Sequence, residues 1–324
     1  MTDDQALGSL QQAITEAHTA LRPQVAVTPL TLSSRLSALS GCEVYLKCEH
    51  LQHTGSFKYR GASNKLRLLD PLQRQRGVIT ASSGNHGQGL ALAGQALGVP
   101  VSVYTTTQAS SYKLEAMRAL GAEVISLDLD PLGAELEAGR QAQLQGKPYV
   151  SPYNDYQIIA GQGTVGMELF EQQPELDAVF VAVGGGGLIS GIAAALHGLS
   201  AKTRIVGCWP ANSPALHASL AAGRIIEVDE EETISDGTAG GVEPDSVTLG
   251  LCQRLLSQSV LVSEAQIKAA MREVAASERW IIEGAAGVAM AGMLALAEEY
   301  RGKKVAVVLC GRNIVLEKYL EAIA

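Results

Sequence analysis

Short apolar runs alternate with helix-periodic segments along this chain, and the alternation predicts a doubly wound α/β architecture. Glu43 to Cys48 reads as a strand, followed by a helix from about Lys58 to Leu69. Gly77 to Ala81 reads as the next strand, ending at the turn Ser82-Ser83-Gly84-Asn85-His86-Gly87 and leading into a helix through Ala96. Val101 to Tyr104 and Glu123 to Leu127 repeat that unit, with helices from about Ser111 and Gly133. A second series places strands at Ala178 to Val183, Arg204 to Trp209 and Lys304 to Leu309, with helices near Leu188, Glu264 and Gly284. Connections of this length imply parallel pairing. The apolar residues are mainly Ala, Leu, Val and Ile, with aromatics at only 4%, as buried parallel strands require. A chain of 324 residues has room for two lobes, and no Pro/Gly/Ser linker or internal repeat separates them.

Several function classes are disfavoured. Hydrophobic content of 47% with 18% charged residues suits a soluble globular protein with a sizeable core. A net charge of −8 and the lack of a basic stripe argue against nucleic acid or an anionic membrane as partner. No uninterrupted apolar run approaches the roughly 20 residues that cross a bilayer. The start, Met1-Thr2-Asp3-Asp4-Gln5, is acidic and does not read as a secretory signal. Cys42, Cys48, Cys208, Cys252 and Cys310 are scattered without metal-ligand spacing, and read as reduced thiols of a cytoplasmic protein.

Three stretches carry chemistry. Thr54-Gly55-Ser56-Phe57-Lys58-Tyr59-Arg60-Gly61 offers one lysine in a small polar turn. A lysine at the positive end of a helix is disfavoured as an ammonium, burial lowers its pKa further, and a neutral lysine amine forms a Schiff base with an aldehyde. Gly184-Gly185-Gly186-Gly187 lies between the apolar run ending at Val183 and a helical pattern starting at Leu188, the order an anion site needs. A dinucleotide fingerprint is disfavoured there: Ile189 stands where the third glycine belongs, and no acid sits at Gly207 or Cys208. A cofactor with both an aldehyde and a phosphate is pyridoxal phosphate. The third stretch, Ser82 to Gly87, has more polar side chains than a helix cap requires.

Together these stretches resemble the fold type II pyridoxal-phosphate enzymes, whose architecture is that of the tryptophan synthase β subunit, and within them the serine/threonine dehydratase and serine racemase family. The resemblance runs from about Thr28-Pro29-Leu30 to Asn313, with the motifs in family order. It implies two parallel-sheet lobes, a large one of residues 1–69 with 153–324 and a small one of 70–152, and a homodimer. It also implies that Lys58 holds the cofactor and acts as base, and that Gly184 to Gly187 bind the phosphate. Phe57, Gly237 and Glu283 line the cofactor, though Glu283 reads equally as a helix N-terminal charge. The loop Ser82, Ser83, Gly84, Asn85 and His86 binds the substrate carboxylate through its backbone N–H groups, with Asn85 on the cofactor's 3-oxygen and Ser83 on the face opposite Lys58. His86 is expected to support the loop. Cys310 contacts the pyridine nitrogen, and a neutral thiol there favours loss of a β-substituent over transamination. Arg312 stands where a small residue is common.

One departure concerns metal. Relatives that hold a divalent cation after the strand resembling Ile205-Val206-Gly207 use carboxylates where this chain has Trp209 and Ala215, so no metal site is expected. The resemblance implies deamination of a β-hydroxy α-amino acid to a 2-keto acid and ammonia, with the cofactor phosphate as acid for the leaving hydroxyl. An amino-acid racemase using Ser83 as second base is the alternative. His86 argues against a cysteine-synthase type of β-replacement, and the intact lysine and glycine loop argue against a silent regulator. The chain's end at Ala324 leaves no room for an appended regulatory domain. Serine or threonine is the default substrate, a 3-aryl-serine stays open, and the stretches Cys208 to Pro214, Thr238 to Pro244 and Ser277 to Trp280 look like the branch assigned to hydroxyectoine breakdown.

Overall fold

The structure is a computed structural model that describes residues 3–200 and 202–324; Met1 and Thr2 of the acidic start, and Ala201, lie outside it. Its strands are β1 (Leu30–Leu32), β2 (Glu43–Lys47), β3 (Val78–Ala81), β4 (Val101–Thr106), β5 (Glu123–Leu127), β6 (Ala178–Ala182), β7 (Arg204–Pro210), β8 (Gln258–Val262) and β9 (Lys304–Val308). They form two sheets: a six-stranded one ordered β1-β2-β9-β6-β7-β8 and a three-stranded one ordered β3-β4-β5. All pairings are parallel except β1 with β2. β1 adds an antiparallel edge to an otherwise parallel large sheet. The connection from β1 to β2 holds only the short helix Ser34–Ser40, too little chain for a right-handed crossover. β1, β8 and the helix Asp3–Leu21 are elements the sequence patterns do not announce.

β6 and β9 sit centrally in the large sheet and are buried, as near-continuous Val/Ala/Phe runs require. The helices Tyr156–Gln172, Gly187–Leu199 and Gly284–Ala295 cover this sheet with almost wholly buried Ala/Ile/Gly faces. No helix among the described residues is long and apolar enough to cross a membrane.

The helix Lys58–Arg67 is wedged between the two bodies of structure. Glycines make the fit possible, because a Cβ at Gly161 would stand 2.6 Å from Gly61 Cα and one at Gly89 3.0 Å from the Lys58 carbonyl carbon. Tyr59, Ala62 and Leu66 join the apolar core that packs on the three-stranded sheet. Arg60, on the opposite side, enters a sealed group of four charges. Its guanidinium donates to Glu49 at 2.8 Å and to Glu168 at 2.7 Å, and Lys47 Nζ donates to Glu168 at 2.6 Å. All four side chains are at most 1% exposed. Two cations against two carboxylates leave no net buried charge, the condition under which such a group is tolerated.

Candidate active site

The helix start at Lys58 is fixed by the far end of the chain. Phe57 N–H donates to the Cys310 carbonyl at 3.1 Å, and Arg312 N–H donates to the Gly55 carbonyl at 2.9 Å. A single antiparallel bridge joins Ser56 to Gly311. The lysine is thereby placed at the carboxyl end of β9, beside the loops that follow β3 and β6, where open α/β sheets bind ligands.

There it opens on a cavity of about 190 Å³ between the two sheets. Phe57, Lys58, the Ser82–His86 turn, Gly184 to Gly187, Gly237, Glu283 and Cys310 all line it, so every residue proposed from sequence reaches one space. Lys58 Nζ donates to the Pro152 carbonyl at 2.8 Å. Burial pushes its amine down to about 8, against the raising charges of Glu135, Cys310 and Glu283.

The glycine loop is built for an anion. A Cβ at Gly185 would stand 2.4 Å from the Tyr153 ring and one at Gly184 2.9 Å from Thr238 Cα, while Gly186 takes a φ of 87° that disfavours any side chain. Among the described residues, none of the backbone N–H groups of Gly184, Gly185 and Gly186 donates a hydrogen bond within the protein. Unpaired donors at the start of the helix Gly187–Leu199 fit a phosphate, and the lysine in the same cavity, its pKa lowered by burial, fits an aldehyde.

The second turn is held rigidly. His86 Nε2 lies 3.2 Å from the Val150 carbonyl, which can only accept, so this nitrogen carries the proton. Burial, the charge of Lys58 next, pushes the imidazole down to about 3, leaving it neutral in a supporting position. Asn85 Nδ2 donates to Glu283 at 2.8 Å, and Asn313 donates to Asn85 Oδ1 at 2.6 Å. Glu283 occupies the N-cap position of the helix Gly284–Ala295 without a side-chain capping hydrogen bond, and its carboxylate also accepts from Asn85. Burial and the charge of Asp236 push this carboxyl up to about 7. Ser83 is exposed to the cavity mouth, and Cys310 is buried with its thiol held neutral, chiefly by desolvation and then by Glu283.

Among the lining residues that the sequence patterns did not mark are Lys113, Glu135, Pro152 and Tyr153. Lys113 lies over the Ser82–His86 turn, where a Cβ on Gly84 would come 3.3 Å from its Cδ, and it pairs with Asp236. Nothing local marks these positions, because they reach the cavity from two helices and one loop. At the positions where cation-binding relatives carry carboxylates, Trp209 is fully buried beside Gly207 and His217, and Ala215 starts a helix.

An α/β protein with an anion cradle and a neutral lysine in one cavity is of the class that takes up an aldehyde bearing a phosphate. The chain belongs to the pyridoxal-phosphate dependent enzyme family, which it matches over residues 21–311, in its fold type II form, and its cofactor is pyridoxal 5′-phosphate. It is 40% identical over 302 residues to the L-threonine ammonia-lyase of Thermotoga maritima, covering 93% of this chain and 75% of that one. It is 35% identical over 292 residues to the L-threo-3-hydroxyaspartate ammonia-lyase of a Pseudomonas species, covering 90% and 91%. The solved structure of the processed threonine deaminase isoform 2 of Solanum lycopersicum superposes with a TM-score of 0.93 at 33% identity, covering 99% of this chain and 88% of that one.

Proposed function

We propose that this enzyme deaminates a β-hydroxy α-amino acid to a 2-keto acid and ammonia. The observation that carries the reading is the Lys58 amine, held near neutrality in one cavity with the glycine loop and the Ser82–His86 turn. The bound cofactor supplies the electron sink that makes the substrate's α-proton removable. Gly184 to Gly187 would hold its phosphate, Asn85 and Glu283 would contact it beside Lys58, and Cys310, a neutral thiol, would face its ring nitrogen. The backbone N–H groups of Ser83 and its neighbours hold the substrate carboxylate, and Lys58 Nζ takes the proton from Cα. Residues 70–152 form the small lobe against a large lobe of 1–69 with 153–324. The working molecule is a cytoplasmic homodimer; five free, buried cysteines agree with a reducing compartment.

Keto-acid release across a panel of β-hydroxy amino acids, from serine and threonine to 3-hydroxyaspartate, 3-aryl-serines and hydroxylated diaminobutyrate, tests the assignment. No release from any of them would overturn it. Racemisation is the second reading, favoured by one observation: the exposed Ser83 hydroxyl at the cavity. Elimination proceeds with Lys58 alone, whereas racemisation needs a proton delivered on the second face. Ser83→Ala is therefore expected to retain most keto-acid release while abolishing inversion. Chiral chromatography of unreacted substrate measures both, and faster build-up of the opposite enantiomer than of keto acid makes the protein a racemase.

A further inference from the structure

The resemblance makes the cofactor phosphate the acid for the leaving hydroxyl, but the cavity holds a carboxyl of this chain that the reaction proposed above leaves without a task, and this inference rests on that reading. The helix Pro131–Gln145 is capped by Asp130, whose side chain accepts from Gly133 N–H at 2.6 Å, with Pro131 in its first turn. Pro131, Ala134 and Glu135 share one face of this helix and line the cavity together with Lys58 and the glycine loop. Glu135 is thus a carboxyl placed by a rigid element in the same enclosed space as Lys58. Among the described residues no lysine or arginine ion-pairs with it; its one hydrogen bond is a long contact of 3.4 Å from the Tyr153 hydroxyl. Tyr153 itself is fixed, its ring beneath Gly185 and its oxygen accepting from Glu243 N–H at 2.8 Å.

We propose that Glu135 is the acid that protonates the departing β-hydroxyl of the substrate. A carboxyl that is enclosed, unpaired with a cation and close to a second carboxyl keeps its proton. Burial first and the charge of Glu243 second push Glu135 up to about 8, against the opposing pull of Lys58 and the Tyr153 hydrogen bond. The cavity therefore contains a base whose pKa is lowered and an acid whose pKa is raised, the pairing that β-elimination needs. As Lys58 Nζ takes the α-proton, the Cα–H electron pair forms the Cα–Cβ double bond. The Cβ–O bond breaks, the hydroxyl takes the proton of Glu135, and water leaves. Lys58 ends as ammonium and Glu135 as carboxylate, and one proton passed from the first to the second restores both. No oxidant or further reactant is consumed.

A leaving group that needs no proton isolates this role. The β-hydroxy amino acid the enzyme uses best is compared with its β-chloro counterpart, since chloride departs unprotonated. Glu135→Gln is expected to lower kcat at least 100-fold on the hydroxy substrate, a usual contribution of a general acid. On the chloro substrate the change should stay within about three-fold, with the visible absorption of the bound cofactor unchanged. Glu135→Asp, which keeps a proton to give, should restore part of the lost rate. Equal losses on both substrates, or no loss on either, overturn the proposal. Infrared difference spectroscopy gives a reading independent of turnover: a protonated-carboxyl band at neutral pH, present in the wild type and missing in Glu135→Gln. An ionised Glu135 at neutral pH would also overturn it. Failure of the wild type on every hydroxy substrate sinks the broader function instead, whatever the variant does.

Discussion

At the scale of single residues, the site depends on one amine being neutral when every surface lysine is charged. Only the neutral form has the lone pair that attacks an aldehyde, and desolvation brings Lys58 down to about 8. The rate at which cofactor-free protein captures pyridoxal phosphate should therefore rise with pH and level off above about 8, rather than continuing to climb toward the range of an ordinary lysine. Stopped-flow absorbance of the yellow holoenzyme follows this directly. Lys58→Ala should bind the cofactor without covalent attachment, so that borohydride fixes none of it to the chain. Borohydride-fixed cofactor in that variant would place the attachment elsewhere. Lys58, the four glycines and Ser82 to His86 were legible because each is a contiguous stretch between a strand and a helix, so local pattern alone points to chemistry. Glu135, Lys113 and Tyr153 were not, since a lone residue on a helix face or in a loop looks like any other until packing turns it toward the cavity.

At the scale of elements, the helix Lys58–Arg67 carries the lysine while anchoring itself through Arg60 two residues on. Removing one member of a sealed charge group strands the others without water, which costs about 3–5 kcal/mol, more than the pair's own attraction gains. Arg60→Met should lower the urea midpoint accordingly and weaken cofactor retention, because the same turn of helix holds both side chains. Urea titrations followed by circular dichroism and by cofactor absorbance should move together; a variant as stable as the wild type would show that the group is merely accommodated. β1 and β8 stayed hidden in the sequence for opposite reasons. β1 spans three residues, too few for a period, and β8 is an edge strand with alternate exposed positions and a polar start. Most of the expected strands that appeared are buried, continuous ones, whose composition is set by having helices on both faces; β5, an edge strand with no buried residue, is the exception.

At the scale of the molecule, the two sheets meet only around the cavity and the wedged helix, so the site is assembled from segments as distant in sequence as Thr54 and Asn313, joined by a 2.7 Å hydrogen bond. None of that assembly involves a cation-binding cluster: among the described residues no three His, Cys, Asp or Glu side chains gather into one. With the buried indole of Trp209 and the methyl of Ala215 in the relevant places, activity should be insensitive to a chelator. Assay of keto-acid release with EDTA, then with Mg²⁺ or Ca²⁺ restored, checks this. A large loss rescued by either ion would mean that carbonyl oxygens elsewhere bind one. The fold class was legible from alternation alone, but the location of the cavity was not, because it depends on which helix sits between the sheets.

The neutral sum of Lys47, Glu49, Arg60 and Glu168 also constrains how this sequence can drift. Each charge-neutralising replacement leaves a remainder of one sealed charge, so a descendant that swaps the quartet for apolar packing has to pass through intermediates less fit than either end. Two changes arriving together, one of each sign, skip that valley. In a library of variants these four positions should accordingly tolerate compensating pairs far better than singles, and Lys58, two residues before Arg60, inherits its neighbourhood from that stalemate.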